Sequence, residues 1–348
     1  MPTIQADRLR KIGEVLFEKA GASAEEAATV SRHCVNANLT GHDSHGIIQV
    51  PTYIDRVDRG HIVPGAPFEI VQESATTTVI NGNWGFGYVV NERAMNITIE
   101  KAKKANVAAA TVYHQSHVGR AASYPIMAAE QGMIAMMTAD SGRSPKAVAP
   151  FGGRAARLGT NPISIAMPSN LEGPFFIDMA TSAAAAGKVK LAQARGDSIP
   201  DDWVVDKDGR KTTDPAALGE GGAIQPLGGA QGFKGTGLAA MVEIFSGLLT
   251  GLGFGVEPTG KHNDGVFMAV FNVEAFRPLD TFKQEVTEFA EYLKATPTAE
   301  GFDSVLYPGE IEHQRMQKRL VDGIEVEDAT WNKLVALAEK YGVSEIVA

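Results

Sequence analysis

The sequence predicts an α/β protein whose sheet domain occupies the middle of the chain and whose two ends carry helices. Between about residues 67 and 278, short β-branched or apolar runs alternate with helical runs at regular intervals. Residues 1–66 and 279–348 show mainly helical patterns. We therefore expect an α/β domain of residues 67–278 and a helical lobe built from residues 1–66 plus 279–348.

The first sixty residues predict three helices. Gly21 suits the left-handed end of the first helix, and Ser23 with Glu26 forms a capping box before a second helix that reaches about Asn38. A third helix is expected over residues 46–60. The apolar face of the first helix consists of Leu9, Ile12, Leu16 and Ala20.

The middle of the chain predicts alternating strands and helices. Residues 67–82 are rich in β-branched side chains and end at the turn pair Asn81-Gly82, and a long helix should follow over residues 88–105. Later strands are expected at residues 107–113, 133–139, 163–167, 174–178 and 265–273, and helices near residues 121–130, 181–194 and 237–249. Two more helices, at residues 281–295 and 330–342, should flank a loop around residues 307–310. The order of the strands in the sheet does not follow from these patterns.

The composition indicates which binding partners and which cellular compartment to expect. The 348 residues are 44% hydrophobic and 21% charged, an ordinary globular mixture. A net charge of −9 without a long Lys/Arg run argues against nucleic-acid binding, which needs clustered cations. We find no signal-peptide pattern and no stretch that spans a bilayer, so we expect a cytoplasmic protein without membrane contact. The single cysteine, Cys34, cannot form an internal disulfide.

One glycine-rich segment has the spacing of a dinucleotide-binding fingerprint but lacks its context. Gly235, Gly237 and Ala240 fit the spacing, yet no hydrophobic strand precedes them to aim a helix start at a pyrophosphate. We therefore expect no Rossmann site here. Lys234 beside a helix start could still attract an anion, and the alternative is a flexible surface loop.

Two histidine pairs are the best candidates for chemistry. His42 and His45 follow the second helix, and His114 and His117 follow a predicted strand. Imidazole exchanges protons near neutral pH, and strand-end loops on an α/β scaffold commonly carry such groups. Three alternatives stay open at this point: solvated or core histidines, a mononuclear metal site that hydrolyses its substrate, and a structural interaction protein.

Several stretches, in a fixed order, resemble the malate/L-lactate dehydrogenase family, which is unrelated to the Rossmann lactate dehydrogenases. They are ANLTGHDSHGI, SHVGRAA, VAPFGGRAARLGTNPIS, FFIDMATSAAAAGKV, PLGGAQGFKGTGLAAMVEI and LYPGE. The resemblance covers nearly the whole chain. Within the family, the chain looks closest to the bacterial hydroxycarboxylate dehydrogenases that share GHDSHGI.

The resemblance implies a mixed-sheet NAD(P)-binding domain without the glycine fingerprint, an active site between the lobes, and a homodimer with dimer and substrate contacts in the helical lobe. It also implies a reaction: hydride passes between NAD or NADP and the 2-carbon of a small 2-oxo or 2-hydroxy acid of malate, lactate or hydroxycarboxylate type. A histidine carries the proton. Reduction of a cyclic imine carboxylate is the alternative within the family.

Similarity further implies roles for single residues. His117 is the expected proton donor, with His45 orienting the substrate or the nicotinamide. In the imine reductases the Ser44-His45 pair with Asp178 is the relay instead, so Ser44 and Asp178 are also candidate catalytic residues. The residues expected around the cofactor are His45, Gly119, Arg120, Ser141, Phe176, Asp178, Met179, Ala180, Lys234, Gly309 and Glu310. No metal is expected.

Departures from the family pattern concern the substrate. Many relatives carry an arginine after the SHG motif that binds the substrate carboxylate, but this chain has Gln49 there, with Tyr53 at the expected tyrosine position. A neutral amide cannot form that ion pair. Either Arg120 supplies the cation or the substrate differs in shape. Gln115 stands where relatives often have serine.

Overall fold

A computed structural model of the chain describes residues 1–140, 146–256 and 261–348. The helices in these ranges are α1 (Ala6–Lys19), α2 (Ala24–Leu39), α3 (Val50–Asp58), α4 (Gly87–Ala105), α5 (Pro125–Ala129), α6 (Ala186–Arg195), α7 (Phe233–Val242), α8 (Leu279–Lys294), α9 (Glu310–Asp322) and α10 (Asp328–Lys340). The strands are β1 (Thr3–Ile4), β2 (Glu69–Glu73), β3 (Thr77–Gly85), β4 (Val107–Gln115), β5 (Met133–Asp140), β6 (Ile163–Met167), β7 (Phe175–Met179), β8 (Val204–Val205), β9 (Lys211–Thr212), β10 (Ala223–Ile224), β11 (Gly265–Asn272) and β12 (Ile324–Glu325).

A seven-stranded mixed sheet lies at the centre of the described chain, in the order β2-β3-β4-β11-β5-β6-β7. β3 and β4 run parallel, and the other neighbouring pairs are antiparallel. The expected mixed α/β fold is therefore confirmed. β4 and β11 are neighbours, with Val266 opposite Val112. The loop that leaves β4 consequently lies beside the segment that enters β11, and this junction carries the candidate site.

The N-terminal helices form as the sequence predicts. Ser23 and Glu26 make both hydrogen bonds of the capping box at the start of α2. α1 packs on α2 through Leu9, Ile12 and Leu16, which are fully buried. Removing each of these side chains from water contributes roughly 1.5–3 kcal/mol. No helix in the described ranges combines the length and apolarity needed to cross a bilayer.

The two ends of the chain meet. β1 pairs with β12, so that Thr3 lies opposite Glu325, and α10 contacts α3. One buried cluster runs from Leu9 in the first helix through Ile80 in the sheet to Leu334 near the end of the chain. The ends thus pack on the same core as the sheet, and the division into two lobes stays a prediction.

A second, smaller core lies beside the main sheet. β8, β9 and β10 form a three-stranded antiparallel sheet. Its buried side chains pack with α6 and include Val148, Val189, Val204 and Ile224.

The chain forms a helix where the sequence predicts a loop. α9 begins at Glu310 directly after Gly309, whose φ of 98° is a left-handed value that favours glycine. Glu310 is the buried residue of this helix, which otherwise consists mainly of charged and polar residues. Apolar periodicity is the signal that identifies helices, and α9 does not carry it.

The turn between β2 and β3 also differs from expectation. Asn81-Gly82 lies inside β3, at a register shift, and not at a strand end. The turn is at Ser74, whose Oγ accepts the backbone N–H groups of Thr76 at 3.2 Å and Thr77 at 3.0 Å. A side chain that satisfies two turn amides outweighs the Asn-Gly preference here.

Two helix starts were predicted at the wrong residue. The segment before α6 stays extended because the Ala183 N–H donates to the Gln225 carbonyl at 2.8 Å, so α6 starts at Ala186. α7 starts at Phe233, earlier than the expected Gly237, which places Gly235 inside a helix and not in the loop before it. A π-helical turn, Glu243–Leu248, continues α7.

Candidate active site

His117 lies two residues beyond β4, next to the entry to β11. Its Nδ1 is 2.7 Å from the hydroxyl of Tyr53 in α3. The ring of His45 stacks on the His117 ring, with centroids 5.4 Å apart and planes inclined by 17°. The structure therefore brings together three predicted site residues from separate segments.

His45 ends a short 3-10 turn that follows α2. Asn38 in α2 fixes this turn: its amide donates to Asp43 at 2.7 Å, and its side-chain oxygen accepts the Ile47 N–H at 2.7 Å. Gly46 permits this approach, because a Cβ there would lie 2.2 Å from the Asn38 oxygen. The GHDSHGI segment thus folds around Asn38 to present His45.

Burial controls the protonation of the two stacked imidazoles. It lowers the pKa of His117 well below its ordinary value, against the opposing charge of Asp264. Burial likewise lowers the pKa of His45, and the Asp178 carboxylate acts in the opposite sense. Tyr53 keeps its proton because burial raises its pKa well above the ordinary value. Near neutral pH, His117 is therefore a neutral imidazole beside a protonated phenol and is suited to accept a proton.

Sequence reasoning missed two residues of this cluster, Asp264 and His262, which precede β11. Asp264 Oδ2 accepts the Val118 N–H at 2.9 Å, and Oδ1 lies 2.8 Å from His262 Nε2. The His262 ring meets the His117 ring edge-on, with centroids 5.5 Å apart. The only signal in the sequence is a polar triplet before an apolar strand, and nothing local connects it with a loop near residue 117.

Arg120, Asp178 and Phe176 form a second cluster. The Arg120 guanidinium carbon lies 5.0 Å from the centroid of the Phe176 ring, and Arg120 Nε lies 4.0 Å from Asp178 Oδ2. Gly309 packs so closely that a Cβ there would lie 2.7 Å from the Phe176 ring. The charges of Asp178 and Arg120 both act on the pKa of His45, after the larger effect of burial. The second cluster therefore adjoins the histidines.

One edge of the Arg120 guanidinium, formed by Nε and Nη2 and called here the side-on edge, is suited to bind an anion. Within the described part of the chain, Nε and Nη2 of this 5% exposed residue have no hydrogen-bond acceptor. Leaving such donors unsatisfied in a buried place is costly, and the edge matches two oxygens of a carboxylate or phosphate. The residues present thus fit an anionic group of a substrate or of a nicotinamide cofactor.

Gly119 links the two clusters. Its φ is 72°, and a Cβ there would lie 1.9 Å from the Tyr88 ring, so no other residue fits. The Tyr88 hydroxyl donates to the His45 carbonyl at 3.1 Å. Through this contact, the segment that carries Arg120 supports the turn that carries His45.

Two predicted residues support the His45 turn. Ser44 Oγ lies 3.1 Å from His45 Nδ1. The Gln49 amide donates to the Ser44 carbonyl at 2.7 Å. The remaining histidine of that pair, His42, lies 3.6 Å from Glu312 in α9.

Three other candidates point elsewhere. His114 stacks on Trp84, with centroids 5.1 Å apart. Lys234 is exposed on the second residue of α7. Glu310 is buried and pairs with Lys294. His114 and Glu310 thus have other partners, and neither of these contacts involves the stacked histidines.

The last predicted cofactor residues follow Asp178 in the chain. Met179 ends β7 opposite Ile163, and Ala180 is the next residue. Ser141 lies outside the described residues. Among the residues that are described, no three of His, Cys, Asp or Glu form a group that could hold a metal ion.

Comparison with known proteins identifies the family. A family model for malate/L-lactate dehydrogenase matches residues 4–335. The chain belongs to this family. The resemblance seen in the sequence is therefore confirmed, and this dehydrogenase is an oxidoreductase of small 2-hydroxy and 2-oxo acids that uses a nicotinamide cofactor.

Individual relatives cover nearly the whole chain. L-sulfolactate dehydrogenase from Methanocaldococcus jannaschii is 37% identical over 335 residues, 94% of each chain. Hydroxycarboxylate dehydrogenase B from Escherichia coli is 32% identical over 348 residues, 98% of this chain and 94% of the relative. Among solved structures, malate dehydrogenase from Entamoeba histolytica matches with a TM-score of 0.93 at 32% identity and 98% coverage of both chains. The delta1-piperideine-2-carboxylate reductase from Pseudomonas syringae matches with a TM-score of 0.84 at 28% identity, covering 97% of this chain and 100% of that one.

Proposed function

We propose that this dehydrogenase interconverts a small 2-oxo acid and its 2-hydroxy acid at the stacked histidines, with His117 as the proton carrier. The contact between His117 Nδ1 and the Tyr53 hydroxyl, at 2.7 Å, carries the proposal. It occupies one ring nitrogen and fixes the rotation of the imidazole. Nε2 is then the atom that exchanges a proton with substrate, and His117 is partly exposed, as this role requires.

The proton step is the same in both directions. During reduction, the 2-carbon accepts a hydride with its electron pair, the Nε2–H bond of protonated His117 breaks to leave the neutral imidazole, and an O–H bond forms on the former carbonyl oxygen. A bound reduced nicotinamide supplies the hydride. During oxidation, neutral Nε2 takes the hydroxyl proton. Because burial lowers the pKa of His117, the free enzyme is poised as the base that oxidation needs.

Arg120 is the proposed partner of the substrate carboxylate. Gln49 is neutral and its amide is already bonded to the Ser44 carbonyl. The side-on edge of Arg120 is buried, lacks an acceptor within the described residues, and lies close enough to His45 to act on its pKa. A carboxylate bound there would place the 2-carbon near the histidines.

The residues at the end of β7 would hold the nicotinamide cofactor, NAD or NADP. Phe176 and Asp178 are already in contact distance of Arg120. Met179 and Ala180 continue from them, and Gly309 closes on the Phe176 ring. These residues would hold the cofactor beside Arg120, the proposed partner of the substrate carboxylate.

We further propose a homodimer. Large apolar side chains are exposed on one face of α7 and its π-helical extension: Leu238, Met241, Phe245 and Leu248. A continuous apolar stripe of this kind favours a protein partner, and a second copy on a two-fold axis is the commonest arrangement. Light scattering should give the mass of two chains, and the mass of one chain at micromolar concentration would overturn this assembly. The cytoplasmic location likewise remains a proposal.

A substrate panel tests the proposed reaction. Purified enzyme is mixed with 2-oxo acids that carry methyl, carboxylate or sulfonate side groups, and with cyclic imine carboxylates, each with NADH and NADPH. The nicotinamide absorbance should fall with at least one 2-oxo acid. Turnover of imines alone would replace the proposed substrate class with the imine carboxylates.

A further inference from the structure

Asp264 is a buried carboxylate that contacts the loop carrying His117. It is 4% exposed and directly precedes β11. Oδ2 accepts the Val118 N–H at 2.9 Å, and the Asp264 carbonyl accepts the Gln115 amide at 3.1 Å. Asp264 therefore holds the chain on both sides of His117. Burying a charge is unfavourable without such partners. A buried carboxylate at this position therefore points to a role in holding the His117 loop.

His262 completes the arrangement. Its Nε2 lies 2.8 Å from Asp264 Oδ1, and its ring meets the His117 ring at 80°. His262 thus lies against both Asp264 and His117.

The electrostatics agree with this geometry. Burial alone would raise the pKa of Asp264, but His262, His117 and the Val118 N–H outweigh it and hold that pKa below its ordinary value. Asp264 is therefore ionised. Burial depresses the pKa of His117, and the Asp264 charge is the largest effect that opposes it. The charged or titratable groups around His117 are His45 after α2, Tyr53 and Arg56 on α3, and His262 and Asp264 before β11.

We infer that Asp264 and His262 are positioning residues for His117: Asp264 fixes the loop and stabilises the imidazolium, and His262 holds the Asp264 carboxylate in place. The inference rests on the proposed role of His117 as proton carrier. In oxidation, the hydroxyl O–H bond breaks and a second N–H bond forms on the imidazole, which becomes a cation. The nearby carboxylate lowers the free energy of that cation without taking its proton.

The test compares Asp264→Asn with the unchanged enzyme. Asparagine keeps an oxygen that can accept the Val118 N–H and removes the charge. The His117 imidazole is followed by NMR titration and assigned with His117→Asn. Removing the opposite charge of Asp264 should lower the pKa of His117 by about one unit or more. The apparent pKa seen in the pH profile of kcat/KM should therefore decrease for both oxidation and reduction. The KM for cofactor should stay within about threefold of that of the unchanged enzyme.

His262→Phe is the second variant. It keeps a ring beside His117 and removes the imidazole partner of Asp264, so kcat should fall at least fivefold with little change in cofactor KM. His114→Phe is the matched control, since His114 stacks on Trp84 and not on His117. The kcat of this variant should change less than twofold. If Asp264→Asn does not fold, His262→Phe against His114→Phe decides the question.

The outcomes separate this inference from the proposed function. An unchanged His117 titration in Asp264→Asn, or equal kcat in the two phenylalanine variants, overturns the inference while His117→Asn remains inactive. Full activity of His117→Asn overturns the proposed proton carrier, and the inference falls with it. A lowered pKa of His117 with shifted pH limbs supports both.

Discussion

Removing the Tyr53 hydroxyl should slow turnover, whereas removing a buried hydroxyl away from His117 should only destabilise the fold. Tyr53 is 2% exposed, so in Tyr53→Phe water has poor access to replace the hydroxyl beside His117 Nδ1. A buried polar group left without a partner costs about 1–3 kcal/mol. If this cost raises the free energy of the transition state relative to the bound substrate, kcat decreases roughly 5- to 150-fold. The phenylalanine ring retains the contact with Phe17, whose centroid lies 6.5 Å away.

The assay is steady-state kcat and KM at saturating cofactor, together with urea unfolding. Thr98→Val is the matched control: Thr98 in α4 is also buried, and its hydroxyl donates to the Ala94 carbonyl at 2.8 Å. Both variants should lose about 0.5–1.5 kcal/mol of unfolding free energy, but only Tyr53→Phe should lose kcat beyond threefold. Equal kcat in Tyr53→Phe and the unchanged enzyme would refute the idea that Tyr53 fixes the reactive imidazole.

Three further predictions concern protonation, packing and substrate choice. Because the pKa of His117 is lowered, its neutral base form persists as pH falls. The kcat/KM for oxidation of the 2-hydroxy acid at pH 6.5 should therefore equal its value at higher pH. A kcat/KM that falls to half of its maximum at pH 6.5 or above would contradict this. Gly46→Ala should lose about 1–3 kcal/mol of unfolding free energy, since its Cβ would meet Asn38 at 2.2 Å, whereas Gly187→Ala, with no atom within 4 Å, should be neutral or stabilising in urea unfolding. Gln49→Arg should lower the KM for dicarboxylic 2-oxo acids by about tenfold through a new ion pair, and an unchanged KM would place that carboxylate elsewhere.

Local sequence signals predicted the elements that depend on neighbours along the chain. The Ser23–Glu26 capping box and the α1 apolar face are set within a few residues, and both form as expected. α9 was missed because a largely polar helix has no apolar period. Strand order depends on contacts between distant segments, such as β4 with β11, which no local pattern encodes.

In the candidate site, too, the residues with local or family signals were predicted and those that depend on distant contacts were not. His117, His45 and Tyr53 were found from residue type, loop position and family resemblance, and the structure places them together. Asp264 was not found, because 146 positions separate it from Val118 and a lone aspartate before a strand is common. Residues that act through others leave few signals in a single sequence.

Comparison of His117→Ala with His45→Ala tests the central claim most directly. If His117 is the proton carrier, its alanine variant should lose about 10²–10⁴-fold in kcat with cofactor affinity nearly intact, because proton transfer acts mainly in the transition state. His45→Ala should lose less, since His45 orients substrate or nicotinamide. If His45→Ala abolishes turnover while His117→Ala keeps more than about a tenth of it, a loss under about 1.4 kcal/mol, then His45 carries the proton and the assignment is reversed.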